Sequence, residues 1–169
     1  MCYTDASFAS YVDTRHSTGG YAILLGDCPV AWSCRKQTVV ATSSMCSEYI
    51  ALFELVTELQ WLVPIYQFIC GILKWEYTKP LVFCNSDSAI CFVRNSIERS
   101  RTKSLGVTYY AVRECYEQGL FDCKYVRSED NVADIFTKFL SVPIFQRHSD
   151  SLLSSQWVWL VCFCFSGFF

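Results

Sequence analysis

Three short apolar runs crowd into the first 34 residues: Met1 to Phe8, Gly20 to Leu25 and Val30 to Cys34. Turn signals separate them at Thr18-Gly19-Gly20 and Gly26-Asp27,. Parallel strands need a crossover of a dozen or more residues, so strands this close together are expected to be antiparallel neighbours. From Ser43 the period changes. Tyr49, Leu52, Phe53, Val56, Leu59 and Leu62 recur at helical spacing, with Ser43 or Ser44 placed to cap the helix and Pro64 expected to end or kink it,.

The second half alternates again. Leu81-Val82-Phe83-Cys84, after Pro80, reads as a buried strand, followed by a short helix from Asp87 to Val93,. Val107 to Tyr116 reads as a helix stopped at Gly119, Phe121 to Val126 as a strand and Asn131 to Phe139 as a last short helix,. The order is therefore three strands, helix, strand, helices, strand, helix: one α/β domain over residues 1–147, followed by an atypical hydrophobic tail over 148–169. A chain of 169 residues that is 52% hydrophobic has enough apolar surface for one core,.

Residues 157–169, WVWLVCFCFSGFF, are apolar but only 13 long. A membrane helix needs roughly 17–20 residues, so no membrane span is expected there, and without a period the segment is expected to pack poorly. The 11 cysteines are an odd number, with no CxxC pair, only two histidines and no secretory leader,. A structural zinc site and secretion are not expected; a reducing intracellular compartment, cytoplasm or nucleus, is. The net charge of −2 carries no global basic signature, so any nucleic-acid contact has to come from local patches,. Arg15 and His16 form one such patch. Arg94, Arg99, Arg101 and Lys103 form another, four positive residues against Glu98, a net of +3. Such groups contact phosphates without reading sequence.

Acidic residues fall where elements meet: Asp5 in the first strand and Glu48 in the long helix. Carboxylates that converge from separate elements suit a divalent-cation site. Four blocks carry a more specific signal: YTDASFAS (3–10) with DTRHSTGGY (13–21), SSMCSEYIAL (43–52), CNSDSAI (84–90) with SRTK (100–103), and EDNVADIFTK (129–138). In this order they resemble the ribonuclease H domain of copia-type retrotransposon Pol polyproteins over roughly residues 2–147.

The resemblance implies a ribonuclease H-like fold: a five-stranded mixed sheet, three antiparallel strands then two parallel, flanked by helices. It implies cleavage of the RNA strand of an RNA–DNA hybrid with two magnesium ions, manganese being an alternative, in a chain once fused to a reverse transcriptase. It assigns Asp5, Glu48 and Asp134 to three of four catalytic, metal-holding positions. At the fourth this chain has Asn85 in place of an acidic residue. An amide offers an oxygen but no negative charge, so activity is expected to be weakened or lost. Asp87, two residues on, is a candidate substitute ligand, with helix N-capping as its competing role. Ser7 replaces a second family Asp and Ser104 a family His. Met1 lies four residues before Asp5, so the first strand is expected to be short at its start. The competing expectation for the whole chain is a non-catalytic remnant, or a co-opted nucleic-acid-binding module of the same fold.

Overall fold

A computed structural model describes residues 1–95 and 106–153. β1 (Cys2–Ser7), β2 (Thr18–Leu25) and β3 (Cys28–Lys36) form an antiparallel meander, as their short connections require,. Helix α1 (Ser44–Leu73) then crosses over to β4 (Leu81–Cys84), which lies parallel to β1 on its other side. Two further helices, α2 (Asp87–Arg94) and α3 (Gly106–Glu117), lead to β5 (Asp122–Tyr125), parallel to β4. The sheet order is β3-β2-β1-β4-β5. This is the five-stranded mixed sheet expected from the motifs, and it puts β1, the strand that carries Asp5, at the centre.

The core lies between α1 and the sheet. Tyr49, Leu52, Leu55, Val56 and Leu59 of α1 meet Cys2, Tyr21, Ile23, Val82 and Cys84 of the strands, with Phe92, Tyr109 and Phe121 closing the far side. Ser43 caps α1 by accepting from the Cys46 N–H at 3.2 Å, which holds the first turn, and therefore Glu48, in place. Pro64 does not end the helix: α1 continues to Leu73, and Lys74 closes it in a left-handed conformation. Pro64 is exposed, so the carbonyl that its missing N–H leaves unbonded lies on a side of the helix open to water.

Beyond Leu59 only Val63 and Cys70 of α1 are buried, while Trp61, Ile65, Phe68, Ile69, Ile72 and Leu73 are exposed. By length and composition α1 would suffice to cross a bilayer. Its first half, however, is the core helix of the domain.

After β5 the chain tightens. A 3-10 turn, Ser128–Asp130, and a 3-10 helix, Val132–Phe136, stand where one helix over 131–139 was expected. A further helix, α4 (Val142–Leu153), packs against that 3-10 helix and β3 and buries His148. The boundary drawn at 147/148 falls inside α4. The tail segment 157–169 lies outside the described residues.

Candidate active site

Asp5 is fully buried in β1, opposite Gly20 of β2. A buried carboxylate must be hydrogen-bonded or paired, and here three donors meet it. Asn85, just past the end of β4, gives its Nδ2 hydrogen to Oδ1 at 3.0 Å, and the Lys138 ammonium donates to the same oxygen at 3.0 Å. The Thr137 hydroxyl donates to Oδ2.

Lys138 also donates to Oδ2 of Asp134 at 3.1 Å, an oxygen that receives the Ser128 hydroxyl at 2.7 Å. The structure therefore gathers Asp5, Asn85 and Asp134 into one cluster, with Lys138 tying the two aspartates together.

This cluster exists because the 3-10 helix lies tight against the sheet. Asn131, fully buried, accepts the Ala133 N–H with its side-chain oxygen at 3.3 Å and donates Nδ2 to the Thr4 carbonyl of β1 at 2.9 Å. Gly20 makes room for the approach. A Cβ there would stand 2.8 Å from the Phe136 Cβ and 2.9 Å from the Thr137 Cγ2, closer than real contacts allow.

Glu48 is buried in the first turns of α1, and no side-chain hydrogen bond joins it to the others. Burial, then the charge of Asp5, push its carboxyl up to about 8, against the opposing pull of Lys138; Asp134 adds to the rise and the Ala6 N–H reduces it. Burial and the Asp5 charge likewise raise Asp134 to about 6, against the Ser128 and Lys138 donors. For Lys138 burial works downward, but the charges of Asp5 and Asp134 and the bonds to them hold the ammonium above the ordinary lysine value. Burial and the Asp5 charge thus favour the protonated form of Glu48, and one ammonium faces two aspartates.

Among the described residues no three His, Cys, Asp or Glu side chains are gathered as a ready-made metal site. The oxygens present nonetheless suit a hard cation. Glu48 Oε2, Asn85 Oδ1 and Asp134 Oδ1 are all buried without a partner, and a buried acceptor left unbonded is costly unless something fills it.

Asp87 does not join the cluster. It is exposed on the first turn of α2, and the cap of that helix is Ser86, which accepts the Ala89 N–H at 3.3 Å. Neither role expected of Asp87, ligand or cap, has a contact to support it, because the residue directly before it takes the capping position. Of the basic residues, Arg15 is exposed and His16 half-buried in the β1–β2 connection, with Arg15 at a positive φ of 55°. Arg94 spends an N–H on the Cys123 carbonyl, fastening α2 to β5. Arg99, Arg101, Lys103 and Ser104 lie outside the described residues.

Sequence reasoning missed Ser128, Asn131, Thr137, Lys138 and Gly20. Lys138 had a signal: it follows Asp134 by four residues, the spacing at which opposite charges meet on one helical face,.

A five-stranded mixed sheet with acidic residues on its central strand and beside its ends defines the ribonuclease H fold class, and solved structures agree. LC11-RNase H1 in complex with an RNA/DNA hybrid superposes with a TM-score of 0.58 at 15% identity, over 80% of this chain and 91% of that one. The N-terminal ribonuclease H domain of a Mycobacterium tuberculosis protein gives 0.54 at 15% identity, over 89% and 95%.

By sequence the chain is a relative of retrovirus-related Pol polyproteins of copia-type transposons. It is 32% identical over 151 residues to that of transposon RE2 of Arabidopsis thaliana and 35% identical over 136 residues to that of TNT 1-94 of Nicotiana tabacum. These alignments cover 87% and 80% of this chain, which spans about 10% of either polyprotein. No protein-family profile matches the chain.

Proposed function

We propose that the chain is the ribonuclease H segment of a transposon Pol polyprotein, acting on the RNA strand of RNA–DNA hybrids next to a reverse transcriptase, with a weakened cation site. The observation that carries the weakening is at Asp5 Oδ1. Where a fourth carboxylate would add negative charge, two N–H donors, Asn85 Nδ2 and Lys138 Nζ, converge instead.

Asp5, Glu48, Asp134 and the Asn85 carbonyl would hold magnesium, two ions by the resemblance, or manganese. Bound there, the metal would supply an activated water and a counter-charge for the leaving oxygen. The protein's own part is to hold Asp5 through Thr137, to fix Asp134 through Ser128, and to keep Glu48 buried. Arg15 and His16, with the basic residues of 94–103, supply phosphate contacts that place the duplex.

A second reading, a non-catalytic module that binds hybrids, draws support from the same cluster, since Lys138 and Asn85 already satisfy Asp5. Cleavage and binding of a labelled hybrid in magnesium separate the two. The expected result is slow cleavage by the chain, faster cleavage by Asn85→Asp, and none by Asn85→Asp combined with Asp5→Asn. Binding without cleavage in both the chain and Asn85→Asp would favour the second reading, and full activity in the unmodified chain would remove the weakening.

A further inference from the structure

Lys138 is outside the set of residues that the resemblance assigns, yet its ammonium uses its three donors on Asp5 Oδ1 at 3.0 Å, Asp134 Oδ2 at 3.1 Å and Ser128 Oγ at 3.4 Å. We propose that Lys138 is the resident counter-cation of this site: it holds the place between the two aspartates in the metal-free protein, and a divalent ion binds only by displacing it. The proposal rests on reading the site as a metal centre.

Three observations carry it. The oxygens that Lys138 occupies are the negative ones a hard cation requires, and two cations cannot share them, because like charges within about 4 Å repel strongly. The acceptors beside it, Glu48 Oε2, Asn85 Oδ1 and Asp134 Oδ1, stay buried and unbonded, so the ammonium fills the charge requirement of the site but not its coordination. The Lys138 side chain is 32% exposed while Asp5 and Asp134 are 0% and 4%. It therefore has an open path outward, and its flexible four-carbon stem needs no backbone change to take it. Metal uptake is thus an exchange of one cation for another, and Asn85, by withholding a negative charge, weakens the incoming side of that exchange.

Manganese binding, followed by the paramagnetic signal of the free ion, tests this in five chains: unmodified, Lys138→Gln, Lys138→Arg, Asn85→Asp and Asn85→Asp with Lys138→Gln. Lys138→Gln is expected to tighten binding about tenfold or more in both backgrounds, the gain that removal of one adjacent positive charge supports, while Lys138→Arg leaves it weak. In the unmodified chain, the carbon-13 signal of the Lys138 ε-methylene should move as magnesium saturates the site. This readout remains if a variant fails to fold.

Asn85→Asp binding manganese with no change when Lys138 is removed would overturn the role of Lys138 and leave the metal reading intact. So would metal binding with an unmoved ε-methylene signal. No manganese uptake by any of the five would overturn the metal reading, and the exchange with it.

Discussion

Asn85 donates a hydrogen bond to Asp5 across 3.0 Å, joining the end of β4 to the middle of β1. Asn85→Asp deletes that bond and sets a second carboxylate against a buried one. The metal-free protein should lose about 1–3 kcal/mol, from one lost charge-assisted bond plus like-charge repulsion. Melting in a chelator, where a domain of this size shifts roughly 2–4 °C per kcal/mol, should show the loss, and excess magnesium should reverse it. A variant more stable than its parent without metal would contradict this.

Gly20 is expected to tolerate no side chain. Alanine would press on Phe136 Cβ and Thr137 Cγ2 and lift the 3-10 helix from the sheet. The cost is that of overpacking, about 1–3 kcal/mol, and the Thr137 and Lys138 bonds to Asp5 should loosen together. Denaturant unfolding measures the first, and faster amide exchange at residues 136–138 measures the second. Gly20→Ala with unchanged stability would show that the helix yields freely.

Asn131→Ala removes both the cap of the 3-10 helix and its tie to the Thr4 carbonyl. That carbonyl would then be buried with a partner lost, a cost of about 1–3 kcal/mol. A calorimetric melt should show the decrease, and Asn131→Asp should recover only the part owed to the cap, because a carboxylate can accept the Ala133 N–H but cannot donate to the Thr4 carbonyl,. Full recovery by Asp would sink the assignment of the Nδ2 bond.

The metal-free protein should lose stability as pH rises across the neutral range. Glu48 goes from 4.5 to about 8 on folding, and Asp134 from 3.8 to about 6. The folded chain therefore keeps protons that the unfolded chain releases. The favourable contribution is fully present below the unfolded values and is lost as pH climbs through about 6 and then about 8. Lys138, raised above its ordinary value, loses its contribution only in the alkaline range. Unfolding free energies in a chelator at pH 5 and pH 8 should show Glu48→Gln gaining on its parent at the higher pH. A constant difference would mean that Glu48 is not protonated in the fold.

The strands and their order were legible because Gly-rich turns and apolar runs are local signals, and so was the place of Asp5 in the first strand. That Pro64 does not end α1 was not legible, because the cost of an interior proline depends on whether the freed carbonyl faces water, which depends on packing rather than on the residue. α4 went unread although Pro143 sits in its first turn, a place proline favours. Asp134 was expected on an ordinary helix, but the Asn131 anchor to β1 tightens that segment into a 3-10 turn. The partners of Asp5, Thr137 and Lys138, lie 132 and 133 residues away. No periodicity reports such a pairing; only the closed fold brings them together.

The same separation bears on how the protein is made. Asp5 leaves the ribosome 133 residues ahead of the lysine that neutralises it, a delay on the order of ten seconds at about 5–20 residues per second. During that interval a nascent domain that closes its sheet early would bury a carboxylate still lacking its cation, so final docking of β1 is expected to wait for the segment that carries Lys138,. Within this domain the central strand thus precedes, by most of the described chain, the lysine that neutralises it. Ribosome-bound chains stalled before Asn131 should expose the apolar face of α1 and recruit chaperones, and chains stalled well beyond α4 should not.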